Sequence, residues 1–178
     1  MKWYSITATW FGSGKVSSAP GTIGSLATLP LAYVIHMTIG WQGLLVASMA
    51  LFTLGCVATR AYLKHEATNS DPKEVVIDEV AGQMLTLTLF VPSLGGYLLG
   101  FLLFRIFDVF KPWPISWVDR HVKGAVGVML DDIIAAIIAI CLSIVALLLL
   151  HDYDETMRSF IVAPHPMIDA YVPAATHR

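Results

Sequence analysis

The chain has 178 residues, 56% of them hydrophobic and 13% charged, about half the charged share of an ordinary soluble domain. That composition excludes disorder and a strongly solvated globule, and the length suits one domain with no linker dividing it. With 11 Lys and Arg against 13 Asp and Glu, the formal net charge is −2; this excludes the basic surface that nucleic acid requires, so no nucleic-acid partner is expected. Cys56 and Cys141 lie inside apolar runs without metal-ligand spacing and carry no information on redox compartment.

The first residues lack the basic start, short apolar core and small-residue cleavage site of a signal peptide, so insertion through the chain's own spans is expected. Segment 16–59 contains no Asp, Glu, Lys or Arg. Its Gly40-Trp41 interruption predicts a helical hairpin, with helices over about 24–38 and 42–62. Segment 80–104 is also free of charge but is broken at 92–96, Pro-Ser-Leu-Gly-Gly. That leaves arms of about 11 and 8 residues, each near half the bilayer thickness, so a re-entrant or shallow hairpin is expected. Segment 133–150, IIAAIIAICLSIVALLLL, would span about 27 Å as a helix and reads as a transmembrane segment. A buried helix of a soluble all-α protein is the alternative, and it would need protein covering every face. Basic residues cluster in 60–79 and 105–130, which predicts that both face the cytoplasm. The fold class expected is an all-α integral membrane bundle with broken or re-entrant hairpins. Residues 1–150 form the membrane domain and 151–178 a C-terminal tail without a catalytic role.

Four polar clusters interrupt the apolar sequence. Ala19-Pro20-Gly21-Thr22-Ile23-Gly24-Ser25 is a Pro-Gly turn leading into a helix, where backbone N–H groups can receive phosphate. A Thr or Ser N-cap is the purely structural alternative. The preceding Gly12-Ser13-Gly14-Lys15 is not a P-loop, because Thr9 and Val16 stand where its glycine and hydroxyl are required. Asp71-Pro72-Lys73-Glu74 has the pattern of an N-cap with proline at the first helical position. Beyond it, Asp78 and Glu79 are adjacent carboxylates in apolar sequence, and desolvating them calls for a cation unless they only favour a helix start. Arg105, Asp108 and Lys111 recur every three residues at a helix end closed by Pro112 and Pro114, with Trp113 and Trp117 suited to the membrane interface. Asp131 and Asp132 stand at the expected mouth of the last span, as metal ligands or as partners of the helix dipole.

In the hairpin topology Asp78, Glu79, Asp108, Asp131 and Asp132 reach one membrane face beside Arg105, Lys111 and the glycine turn. Carboxylates with neighbouring bases suit magnesium and a phosphate-bearing substrate, whereas no Cys/His cluster suggests zinc. Metal and cations together supply what phosphoryl transfer needs.

Four motifs in order, APGTIGS at 19–25, VIDEVAG at 76–82, FRIFDVFKPWPI at 104–115 and GVMLDDIIAA at 127–136, resemble those of the phosphatidylglycerophosphatase A family. The resemblance covers about residues 10–150, and each motif is intact. It implies an all-helical, magnesium-dependent lipid phosphatase of the bacterial inner membrane, releasing phosphate from phosphatidylglycerophosphate to give phosphatidylglycerol. Carried onto this chain, it implies a magnesium site of Asp78, Glu79, Asp108, Asp131 and Asp132, with some acting through water or as general base. Arg105 and Lys111 would hold the phosphate, within a cradle completed by Gly21, Thr22 and Ser25. Membrane lipids are the other partners expected, and the sequence carries no signal for oligomeric state. The competing class is a small cation- or proton-coupled transporter, which would place its acids deep within spans. A scaffold binding anionic lipid would have no use for five clustered acids.

Overall fold

Apolar runs in this chain are separated by short polar or Gly/Pro-containing breaks, and helices occupy the runs. The computed structural model describes residues 2–16, 18–65 and 72–149. Within these residues are α1 (Trp3–Ala8), α2 (Pro20–Ile39), α3 (Trp41–His65), α4 (Ile77–Leu87), α5 (Leu94–Phe110), α6 (Ile115–His121) and α7 (Gly124–Leu149), with a 3-10 turn at Ser13–Lys15 and no strand. The bundle is all-α, as the apolar periodicity predicts.

Helices α2, α3 and α7 have 20, 25 and 26 residues, about 30 to 39 Å each, enough to cross a hydrocarbon core. Only 28% of the most apolar window of each is buried inside the protein. Val34, Met37, Val46, Met49, Val145 and Leu148 all point outward. A soluble bundle would carry charge on those faces, so their natural solvent is lipid. Inside, the helices meet through small residues such as Ala32, Ala58, Ala135, Ala136 and Ala139, which allow close backbone approach where lipid tails provide no hydrophobic drive for association.

The hairpin at Gly40 is present, with Gly40 at φ +87°, a conformation that glycine adopts without strain. Helix α4 is the centre of the molecule. It packs against α2, α3, α5 and α7, and nine of its 11 residues are buried. The Ser48 hydroxyl on α3 donates to the Ala81 carbonyl on α4 at 2.8 Å. At about 16 Å, α4 reaches only halfway through a bilayer before the chain turns into α5. At the far end, His36 of α2 lies 3.1 Å from the Tyr97 hydroxyl of α5; at the near end, Thr22 of α2 meets Arg105 of α5. The starts of α2, α4 and α7 and the ends of α3 and α5 therefore share one face of the bundle.

Three boundaries differ from expectation. The helix predicted at Asp71-Pro72 starts instead at Ile77; Pro72–Glu74 is a turn, and Asp71 lies outside the described residues. Glu74 does not cap a helix: it accepts a hydrogen bond from the Tyr62 hydroxyl at 2.6 Å and stands 3.9 Å from Lys15. The second arm of the broken hairpin is 17 residues long: α5 takes in Leu94-Gly95-Gly96 at its start, where the Ser93 hydroxyl caps it by accepting from the Gly96 N–H at 3.1 Å, and it runs on past Phe104 to Phe110. Helix α7 begins at Gly124, so Asp131 and Asp132 lie two turns inside it, not at its mouth. The apolar residues of 125–130 simply extend the span upstream. The tail, 151–178, lies outside the described residues.

Gly82 sets the spacing of α4 from its neighbours: a Cβ there would stand 2.7 Å from the Phe104 ring and 2.9 Å from the Asp132 carbonyl. Gly82→Ala is expected to destabilise the protein by about 1–3 kcal/mol through overpacking, read as a lowered unfolding midpoint in detergent. Leu98→Ala, on the outward face of α5, is the control, and equal midpoints for the two variants would show that the close approach is not required.

Candidate active site

Four helix ends bring the polar clusters together. Helix α4 carries Asp78 and Glu79 in its first turn, where the positive end of the helix dipole favours carboxylates. Helix α5 carries Arg105 and Asp108 on one face and ends at Lys111, whose φ of 42° turns the chain sharply out of the helix. Helix α7 supplies Asp131 and Asp132, and the start of α2 supplies Gly21 and Thr22. These residues line one cleft of about 350 Å³, together with Lys73 at its rim.

Within the cleft the five carboxylates fall into two sets. Ligand atoms of Asp78, Glu79 and Asp132 lie within 4.8 Å of one another. Glu79 Oε2 and Asp132 Oδ2 are buried and have no hydrogen-bond partner among the described residues, an arrangement that is costly without a cation. Oxygen-only donors at this spacing fit a hard divalent ion. The other two carboxylates engage the bases. Asp108 is paired with the Arg105 guanidinium, and Asp131 accepts from Lys111 Nζ at 2.5 Å.

Arg105 ties three elements together: besides Asp108 it lies 3.9 Å from Glu79 and donates to the Thr22 hydroxyl at 3.4 Å. Lys111 also donates to Asp119 of α6 at 2.9 Å. Burial alone would lower the pKa of Lys111, but hydrogen bonds and charge from Asp131 and Asp119 outweigh it and hold the ammonium well above its ordinary value. Lys111 is thus a permanent cation. Burial pushes the Glu79 carboxyl up to about 8; a hydrogen bond with Asp78 opposes this, and the charges of Asp132 and Asp108 reinforce it. A cluster of carboxylates that resists full ionisation by itself is one that a cation would complete.

The glycine turn is placed differently from a simple cap. Helix α2 begins at Pro20, and its N-cap Ala19 offers no side-chain cap. A Cβ on Gly21 would collide with the Glu79 carboxylate, so glycine is needed for α2 to start against the acids. Thr22 turns to Arg105, while Ser25 is fully buried and donates back to the Gly21 carbonyl at 2.9 Å. Ser25 therefore does not line the cleft, and its expected phosphate contact is replaced by a bond within its own helix. Lys73 and Asp119 belong to the polar surroundings although no motif pointed to them. The only sequence signal for Lys73 is a lone base beside a proline turn, and Asp119 is separated from Lys111 by two prolines that erase any periodicity.

The phosphatidylglycerophosphatase A family profile matches residues 6–147. The chain is 37% identical over 139 residues to phosphatidylglycerophosphatase A of Escherichia coli, covering 75% of this chain and 77% of that protein. It is 37% identical over 141 residues to phosphatidylglycerophosphatase A of Haemophilus influenzae, covering 76% and 83%. A relative from Bacteroides thetaiotaomicron, 34% identical over 148 residues with coverage of 79% and 91%, carries a provisional name as a phosphatidylinositol-3-phosphatase. No solved structure matches the chain. A family match across nearly all the described residues, with the four sequence motifs meeting in one cleft, makes this chain a member of the phosphatidylglycerophosphatase A family.

Proposed function

We propose that the protein hydrolyses phosphatidylglycerophosphate to phosphatidylglycerol and inorganic phosphate, with magnesium held in the acidic cleft. The observation that carries this reading is the convergence of Asp78, Glu79 and Asp132 beside Arg105 and Lys111, at one end of an apolar bundle. The names of the Escherichia coli and Haemophilus influenzae relatives support the substrate. The provisional name of the Bacteroides thetaiotaomicron relative points to another lipid phosphomonoester, so the shared chemistry is removal of a terminal phosphate from a lipid head group. The transporter alternative gains nothing from the family.

Asp78, Glu79 and Asp132 are the direct magnesium ligands in this reading. When bound, the ion polarises the phosphate and makes a neighbouring water more acidic. Asp108 and Asp131 act through water or as general base, taking the proton as water attacks phosphorus. Hydrolysis forms one bond from water oxygen to phosphorus, breaks the ester P–O bond and returns a proton to the departing alcohol. Arg105 and Lys111 neutralise the phosphate and the charge developing on its oxygens. The pairs Arg105–Asp108 and Lys111–Asp131 hold both bases in place before substrate arrives. Gly21 and Thr22, at the start of α2, add helix N-terminal N–H groups to the cradle.

The lipid tails would lie along the outward apolar faces while the head group enters from the polar end. Exposed Phe110, Trp113 and Trp117 around the α5–α6 turn suit the headgroup level and fix the depth of the cleft. Described Lys and Arg residues, including Lys15, Arg60, Lys64, Arg120 and Lys123, gather toward this end, which supports a cytoplasmic orientation at the bacterial inner membrane. Residues 1–150 are the functional unit in this reading, and 151–178 are dispensable.

Two experiments test it. Purified protein in detergent micelles is expected to release phosphate from phosphatidylglycerophosphate with magnesium and to stop with chelator. Asp78→Asn and Asp132→Asn should each lower kcat by about 100-fold or more while the protein remains folded, and near-normal turnover would remove that residue from the site. Arg105→Lys keeps the charge but loses the fork that spans Thr22, Asp108 and Glu79. It is expected to lose at least about tenfold in kcat/KM, whereas Ser25→Ala should stay within about threefold because its bond is internal to α2. The opposite ranking of these two variants would exchange their roles.

A further inference from the structure

A second cleft is larger than the acidic one. It is a groove of about 800 Å³ between the end of α3 and the start of α7. Arg60 and Lys64 lie one helical turn apart on α3, and Lys123 faces them from the residue before α7. Among the described residues no Asp or Glu lines the groove, and none pairs with any of the three bases. The rest of the lining is apolar: Cys56 and Val57 lie one turn before Arg60 on α3, Leu63 stands between the two bases, and Val126 faces them from α7. Val57 and Val126 are more than half exposed, so the walls run on into the outward faces of two helices that are long and apolar enough to cross the membrane.

We propose that this groove is a second lipid site, which holds an anionic phospholipid with its phosphate on Arg60, Lys64 and Lys123 and an acyl chain along Val57 and Val126. Three cations without an acidic partner among the described residues, beside an apolar wall, are complementary to such a lipid and to little else at a bilayer surface. Free phosphate would leave the apolar half unused, and a neutral lipid would leave the bases unanswered. Surplus carboxylates suit the neighbouring cleft to a metal, whereas the described lining of this groove carries bases only. The first residues of α7 add helix N-terminal N–H groups on the same side as the bases. Helix α7 thus separates two sites of opposite charge. A lipid seated in the groove would brace α3 against α7, and through α7 the pair Asp131 and Asp132. This site is independent of whether the acidic cleft hydrolyses phosphate.

Full-length protein in uncharged detergent micelles, titrated with acyl-labelled fluorescent phosphatidylglycerol, provides the test. Saturable binding is expected, with phosphatidylcholine of the same chains failing to bind and glycerol 3-phosphate failing to compete. The Arg60→Gln/Lys64→Gln/Lys123→Gln variant should weaken binding by about tenfold or more, whereas Arg120→Gln, an exposed base on α6 outside both clefts, should not. Val126→Trp, which fills the apolar wall and leaves the charges intact, should weaken it as well, and Lys123→Gln alone should do so to a smaller degree. Wild-type affinity in the triple variant would overturn the proposal, as would an equal loss caused by Arg120→Gln or full competition by glycerol 3-phosphate. If the triple variant does not fold, wild-type affinity in both Val126→Trp and Lys123→Gln would overturn it equally. Phosphate release measured on the same preparations reports separately on the acidic cleft.

Discussion

Five carboxylates and two half-buried bases share one cleft in a bundle whose long helices turn apolar faces outward, and the placement of this polar cluster governs the rest of the structure. In hydrocarbon an unpaired charge is expensive, so the cluster must sit at an end of the bundle, enclosed by protein and open to water on one side. Helix α4 solves this by being short. It starts at the polar face with Asp78 and Glu79, reaches mid-depth, and turns back as α5, which returns to the same face carrying Arg105 and Asp108. A single straight span in place of the α4–α5 hairpin would have delivered Arg105 and Lys111 to the opposite side of the membrane.

The short central helix in turn dictates small residues around it. Gly82 lets α4 approach Phe104 and the α7 backbone, Gly55 of α3 leaves room for Met129 of α7 at a would-be Cβ distance of 2.5 Å, and Gly24 of α2 faces Val76. Each of these contacts lies within about two turns of the cleft. The same close approach that packs the helices, in the absence of a hydrophobic drive within lipid, also brings carboxylates from α4 and α7 to ligand spacing. Packing and site geometry are therefore one constraint, met by the same glycines.

How much of this is legible in the sequence depends on the length scale of the signal. The three long spans and the broken central block are visible because apolar runs and Gly/Pro breaks act locally. So is the clustering of Asp78, Glu79, Arg105, Asp108, Lys111, Asp131 and Asp132, since hairpin parity alone brings their segments to one face. Parity does not say which carboxylate meets which base. The division between the Asp78–Glu79–Asp132 group and the pairs Arg105–Asp108 and Lys111–Asp131 depends on helix rotation, which requires the packed structure. Helix ends are misread where a tertiary contact overrides a local pattern: Glu74 has capping chemistry but is taken by Tyr62, and Ser25 has a phosphate-binding hydroxyl but is turned into its own helix. Lys73 lies in a turn beside Pro72, and Asp119 lies on the short α6 beyond Pro112 and Pro114, where no periodicity marks them.

The depth of Asp131 and Asp132 bears on the distinction between an interfacial enzyme and a transporter. Both lie two turns into α7, which taken alone resembles the intramembrane acids of ion-coupled carriers. Their surroundings argue the other way. Lys111 reaches Asp131 from the end of α5, and Asp119 on α6 shares that lysine, so a ring of polar groups closes over the acids from the aqueous side. On the other side, fully buried Met84, Leu87, Phe90 and Phe104 fill the core beneath them. A carrier needs a polar route to both faces of the membrane. Here the charged groups open toward a single face, where a lipid head group would meet them, and among the described residues no Asp, Glu, Lys or Arg continues a path beneath them.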